Sequence, residues 1–307
     1  MPDLLKTRIG KLELKNPVMV ASGTFGYGEE FSEMFNLAAL GAVVTKGISL
    51  KPREGNPMPR IVETPSGMIN AIGLANVGVE KFLSEKLPFL VSKMATVIVN
   101  VFGSSIEEYE EVSSSFEGVN GIAGIEVNIS CPNVKAGGVQ FGTDPEMAKK
   151  VIDRVRKSYG GFLMVKLSPQ VSDIRQMARA MEDVGADALS LINTVPAMAI
   201  DSVRMKPVLT NGSGGLSGPA VKPIALKLVY DASRAVKIPI VGLGGIMNSS
   251  DAAEFLLAGA SAIQVGTANF VKPSTAWDIV SGIKNYCLTH GFTSIDQIRG
   301  KMRSLTS

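Results

Sequence analysis

Residues 240–267 read IVGLGGIMNSSDAAEFLLAGASAIQVGT. An apolar run from Ile240 to Leu243 stops at two glycines, Ser249 and Ser250 open a helix-like stretch that reaches Ala258, and a second apolar run, Ala262 to Val265, again stops at a glycine. Neither run alternates polar with apolar residues, as expected for parallel strands covered on both faces. Similar apolar runs recur upstream, at Pro17 to Ala21, Ala42 to Lys46, Val97 to Phe102, Ile125 to Ile129, Leu163 to Leu167 and Ala188 to Asn193, and Gly47 and Gly103 directly follow two of them. Helix-like stretches lie between the runs, at Ile106 to Phe116, Asp144 to Ser158, Ser172 to Val184, Lys222 to Val236 and Ser249 to Ala258, and Asp144 stands before Pro145 as a cap. Eight strands alternating with helices predict a closed (β/α)8 TIM barrel of roughly 250 residues. About 57 residues are left for additions. Leu4 to Leu14, with Gly10 and Lys11 as its turn, reads as an N-terminal hairpin capping the barrel bottom. Lys51 to Val77 and Pro196 to Gly218 are too long for bare connections and are expected as inserted loops over the C-terminal face. No linker divides the chain, so 1–307 is expected to be a single domain.

Composition narrows the function. The chain has 307 residues, 45% of them hydrophobic and 19% charged, and a mean hydropathy of +0.22, values of a chain with a large core rather than of a disordered one. A net charge of +3 is too even for a nucleic-acid groove or a membrane-binding face. No apolar run approaches the roughly 18 residues of a membrane span, and a strand-like segment begins close to Met1, so a soluble cytoplasmic protein is expected. With two cysteines, Cys131 and Cys287, and one histidine, His290, no cysteine-rich metal site or iron–sulfur cluster is expected in this chain. His290 lies too near the C-terminus for a hydrolase triad, which leaves acid–base work to Cys, Lys or carboxylates.

In a barrel of this kind the active site forms at the carboxyl ends of the strands. Lys46 ends the second strand, Asn100 lies on the third, and the fourth runs through Glu126 and Asn128 into Ser130, Cys131, Pro132 and Asn133. The fifth strand carries Lys166, and Asn193 and Thr194 end the sixth. Two lysines and several amides and hydroxyls therefore converge on one mouth. The glycine turns after strands seven and eight, Gly244-Gly245 and Gly266-Thr267, are where such barrels commonly hold a phosphate on backbone N–H groups; the competing reading is two tight turns. A cation at Lys166 suits a delocalised anion such as reduced flavin, or else an ion pair inside the barrel. Cys131 is either a base at the mouth or an inert buried thiol. Cys287 reads as structural and His290 as a surface residue.

The motif Asn128-Ile129-Ser130-Cys131-Pro132-Asn133, followed by Gly137, Gly138, Phe141 and Gly142, resembles the dihydroorotate dehydrogenases of the soluble class 1, and their NAD-linked branch, class 1B, better than the fumarate-linked branch. The resemblance runs from Ser22-Gly23 through Asn70-Ala71-Ile72-Gly73-Leu74 to Gly266-Thr267. It implies oxidation of dihydroorotate to orotate in de novo pyrimidine biosynthesis on flavin mononucleotide (FMN). It further implies that Gly244, Gly245, Gly266 and Thr267 hold the FMN phosphate, with Gly218 nearby, and that Ser22, Lys46, Gly47, Asn100, Asn128, Lys166 and Ile192 line the ring and ribityl chain. Orotate or dihydroorotate would meet Lys46, the run Asn70, Ala71, Ile72, Gly73 and Leu74, and Asn128, Asn133, Asn193 and Thr194, under a cover supplied by the loop before Gly142. Cys131 would take the C5 proton as hydride leaves C6 for the flavin. A partner subunit with FAD and a [2Fe–2S] cluster would relay electrons to NAD, in an assembly of two catalytic and two electron-transfer chains. Two alternatives are a fumarate-linked class 1A enzyme and an isomerase or lyase whose loops hold a substrate phosphate. A flavin subunit that only stores electrons would not require the asparagine and cysteine set, and the flavin oxidases of 2-hydroxy acids use a histidine that is badly placed here.

Overall fold

The structure, a computed structural model, describes residues 4–130, 135–136 and 139–302. The eight expected strands are all present: β1 (Val18–Val20), β2 (Ala42–Val44), β3 (Val97–Val101), β4 (Ile122–Asn128), β5 (Leu163–Lys166), β6 (Ala188–Leu191), β7 (Ile240–Leu243) and β8 (Ala262–Val265). Each pairs in parallel with its neighbours in chain order, and β8 closes on β1 with Gln264 opposite Met19. β4 begins three residues before the expected Ile125, and its early residues include Gly124, where a Cβ would come within 2.5 Å of the Phe162 ring. The chain is thus a (β/α)8 barrel with an N-terminal hairpin.

Closure sends alternate side chains inward. The lower interior is apolar: Met19, Ala42, Val44, Ile98, Met164, Ala188, Val241 and Ala262 form one buried cluster. Ile9 and Leu14 belong to the same cluster, so the hairpin Thr7–Ile9 and Leu12–Leu14 plugs the barrel from below. Two residues further along the strands the same inward face turns polar, with Asn100 after Ile98, Glu126 after Gly124, Lys166 after Met164, Ser190 after Ala188 and Gln264 after Ala262, all of them buried. A larger apolar cluster lies outside the barrel, between strands and helices.

Helices Ile106–Ser114, Pro145–Ser158, Ile174–Asp183, Lys222–Ser233 and Ser249–Leu257 occupy the expected stretches. Asp144 caps the second of them as expected, accepting hydrogen bonds from the N–H groups of Glu146 at 2.8 Å and Met147 at 3.1 Å. The cap of the last is Asn248, one residue ahead of the two serines, accepting from Asp251 N at 3.0 Å. Helical turns from Gly78 to Ser92 were not legible in the sequence, where Pro88 interrupts the pattern. The two long insertions are not simple loops. Ile61–Thr64 and Gly67–Asn70 from the first join Val195–Ala197 and Gly214–Ser217 from the second in one four-stranded antiparallel sheet, with Ile69, Ala71 and Leu209 buried together. No helix among the described residues is long and apolar enough to cross a membrane.

Replacing Asp144 by Ala removes the acceptor of two helix-end N–H groups and is expected to cost about 1 kcal/mol. Chemical denaturation of the variant against the parent measures it, and an unchanged midpoint would exclude the cap as a source of stability.

Candidate active site

A cavity of about 440 Å³ opens at the carboxyl ends of the strands. Ser22 reaches it from the end of β1, Lys46 and Gly47 from the end of β2, Asn100 from β3, Asn128 from β4 and Lys166 from β5. Ile192, Asn193 and Thr194 follow β6, Gly244 and Gly245 follow β7, and Gly266 and Thr267 follow β8. The inserted sheet supplies Asn70, the residues that follow it, Ala71, Ile72, Gly73 and Leu74, and Gly218 just beyond its Gly214–Ser217 strand. Every site residue expected from the sequence and within the described residues therefore borders one cavity. Cys131 and Asn133, with Gly137 and Gly138, lie outside the described residues.

One end of the cavity is shaped by glycine. Gly245 has φ +77°, and a Cβ there would sit 2.8 Å from both Gly218 O and Lys222 N, so neither the conformation nor the space admits a side chain. Beside it, Thr267 Oγ1 donates to Ser217 Oγ at 2.7 Å. Lys222 is nearby but committed elsewhere: Asp251 at 2.6 Å and Glu254 at 3.1 Å bind its ammonium, and the hydrogen bond to Asp251 is the main reason its pKa is raised. An anion at this end would therefore depend on backbone N–H groups and hydroxyls.

The middle of the cavity is lined by amides. Asn128 Oδ1 accepts from Ser130 Oγ at 2.7 Å and from Ser130 N at 3.2 Å, and Asn193 Nδ2 donates to Ser130 Oγ at 2.7 Å. This network fixes the residue that immediately precedes Cys131. Asn193 Oδ1 in turn accepts from Thr194 N at 2.8 Å, and Asn70 Nδ2 donates to Gly215 O at 3.3 Å.

The floor holds the strongest charges. Lys166 is 5% exposed, and the nearest carboxylate oxygen, Glu126 Oε1, is 3.9 Å from its Nζ, beyond hydrogen-bond reach. Asn100 Oδ1 and Gln264 Oε1 are buried with no hydrogen-bond partner among the described residues. Buried polar groups left in this way are costly unless a ligand pairs them. An ammonium without a hydrogen-bonded acceptor, on a cavity floor that also includes the amide side chains of Asn100 and Gln264, fits a flat ring that carries acceptor atoms. The flavin ring is of that kind, so the residues present fit the expected cofactor. Gln264 and Ser190 were not picked out from the sequence, although counting every second residue from Ala262 and Ala188 leads to them. Lys46, half-buried, has its pKa lowered, chiefly by burial and then by the neighbouring charge of Arg60. Cys287 is buried within the helix Thr275–Thr289, where burial pushes its thiol pKa up, and His290 is exposed and stacked on Tyr286; neither borders the cavity.

The family model described as dihydroorotate dehydrogenase matches residues 4–287. A protein of Geotalea daltonii named dihydroorotate dehydrogenase B (NAD(+)), catalytic subunit, is 54% identical over 302 residues, 98% of this chain and 99% of its own. Proteins of the same name from Pelobacter propionicus and Geobacter metallireducens are 55% and 52% identical, each over 98% of this chain and 99% of the relative.

Because Lys46 loses its proton at a lower pH than an ordinary lysine, the positive charge it offers an anion in the cavity is expected to fade as pH rises, before the usual lysine range is reached. Arg60→Gln removes a repelling charge, raises the Lys46 pKa and moves that alkaline limb to higher pH. Orotate affinity measured against pH in both proteins decides the point; an unmoved limb separates Arg60 from Lys46.

Proposed function

The chain belongs to the dihydroorotate dehydrogenase family, and from that premise we propose that it oxidises dihydroorotate to orotate in de novo pyrimidine biosynthesis, all of 1–307 acting as one FMN-binding unit. The observation that carries the reading is the floor of the cavity, where Lys166, Asn100 and Gln264 line the space between a glycine-shaped anion end and a mouth of amides. FMN, when bound, supplies the acceptor for the hydride that leaves C6 of the substrate.

The chain's own residues do the rest. Gly244, Gly245, Gly266 and Thr267, with Gly218, would hold the phosphate, while Ser22, Gly47 and Ile192 would border the ring and ribityl chain. Lys166 would hold the ring and offer it a fixed positive charge, which in a dry site is worth several kcal/mol towards negative charge. Lys46 meets the substrate carboxylate. Asn70, Asn128, Asn133, Asn193 and Thr194 offer both donors and acceptors, which a cyclic imide needs on both of its edges; Ala71, Ile72, Gly73 and Leu74 complete the wall. Cys131 removes the proton from C5, next to a carbonyl. The network that pins Ser130, its neighbour in sequence, through Asn128 and Asn193 orders the strand end that leads to it.

Electrons then pass to NAD through a separate subunit that carries FAD and a [2Fe–2S] cluster, two of each chain forming the assembly. The word "subunit" in the relatives' names supports a partner, and two cysteines in this chain are too few for a cluster. The setting for this chemistry is the cytoplasm.

The isolated chain is expected to be yellow and to bleach when dihydroorotate is added without oxygen. A colourless protein that binds sugar phosphates would favour the isomerase or lyase reading. Cys131→Ala is expected to keep its flavin but to reduce it at least about 100-fold more slowly, the scale of general-base catalysis; reduction at the parental rate removes the cysteine from the mechanism. Alone, the chain is expected to turn over with an artificial dye and hardly with NAD, and addition of the partner to restore NAD reduction. Efficient NAD reduction without a partner would refute that relay, and strong turnover with fumarate would move the chain to the fumarate-linked branch.

A further inference from the structure

Glu126 has no part in the cavity wall, yet its carboxylate meets three side chains that do. It is 0% exposed. Oε1 accepts from Asn100 Nδ2 at 2.6 Å and lies 3.9 Å from Lys166 Nζ; Oε2 accepts from Gln264 Nε2 and from Ser190 Oγ, both at 2.7 Å. One buried carboxylate thus ties side chains of β3, β5, β6 and β8 to β4. Packing alone gives no reason for a charge here, since apolar side chains of similar volume replace buried ion pairs with little loss of stability, and often with a gain.

We infer that Glu126 is a positioning residue that fixes the amides of Asn100 and Gln264 beneath the flavin ring and, as the counter-charge to Lys166, sets the reduction potential of the flavin bound above them. The inference rests on the FMN reading given above. With Glu126 in place the pair carries no net charge, and the cavity feels the field of a dipole. Without its negative charge the Lys166 ammonium is left alone in a medium that screens poorly, and negative charge added to the ring is stabilised. Glu126→Gln separates this effect from hydrogen bonding. Its amide N–H can be accepted by Asn100 Oδ1 or Gln264 Oε1 once either amide turns over, because both oxygens are now unpartnered.

The test is spectroelectrochemical titration of the flavin in the parent, Glu126→Gln, Lys166→Gln, the double variant and Glu126→Asp, each with a thermal melt. Glu126→Gln is expected to raise the ratio of reduced to oxidised flavin at a fixed potential by at least tenfold, ~30 mV for a two-electron couple. Lys166→Gln is expected to move it the other way, the double variant to return towards the parent, and Glu126→Asp, which keeps the charge, to stay near the parent. A Glu126→Gln protein that melts lower but titrates at the parental potential overturns the inference. If that variant does not retain flavin, the double variant, neutral again at its core, must retain it; flavin missing from both overturns the inference as well. A parent that binds no flavin would instead remove the FMN reading beneath it.

Discussion

A closed barrel of eight parallel strands has an inside that must be filled, and alternate residues of every strand are committed to filling it. Most of the chain's architecture follows from how that obligation is met at two depths. In the lower layer, methionine, valine, isoleucine and alanine pack to a dry plug that Ile9 and Leu14 seal from beneath. One step higher the same alternation brings in Asn100, Glu126, Lys166, Ser190 and Gln264, groups that bury themselves only if they are paired. Pairing around the Glu126 carboxylate leaves an ammonium and two amide oxygens over, on side chains that line the cavity. The reactive floor is therefore a consequence of closing the barrel with a polar upper layer, and it rests on the rigid strands rather than on loops.

The barrel was legible because parallel strands covered on both faces leave a continuous apolar run, often closed by a glycine, a signal that short sequences such as Ile240 to Leu243 carry clearly. The hairpin and the helix capped by Asp144 were legible for similarly local reasons. The inserted sheet was not. Its strands are short, include Gly67, Gly214 and Gly215, and are exposed enough on one side to lack an apolar run, and their pairing joins segments separated by well over a hundred residues. Local pattern contains no information on such a partner. The helical turns between Gly78 and Ser92 were hidden by Pro88 for the opposite reason, since there the local signal points away from helix.

Of the candidate site, the residues at strand ends were found by position and chemistry, and the run from Asn70 to Leu74 by resemblance. Gln264, Ser190 and the role of Glu126 were missed because each lies inside a strand that reads as apolar, where a single polar residue carries no visible signature until the inward face is known. The two lysines also looked equivalent in sequence. In the folded chain they differ in kind: Lys46 is half-buried and feels Arg60, whereas Lys166 stands opposite a fully buried carboxylate.

The sheet that spans the two insertions has a consequence for how this barrel can change over generations. Gly215 lies opposite Asn70, and Leu216 opposite Ile69, so a strand from one insertion and a strand from the other share a single register. Adding or removing a residue within either paired strand alone would shift that register and carry Asn70 and the residues after it away from the mouth. The two segments are therefore a single heritable module, and variation in one is tolerated only when matched by variation in the other.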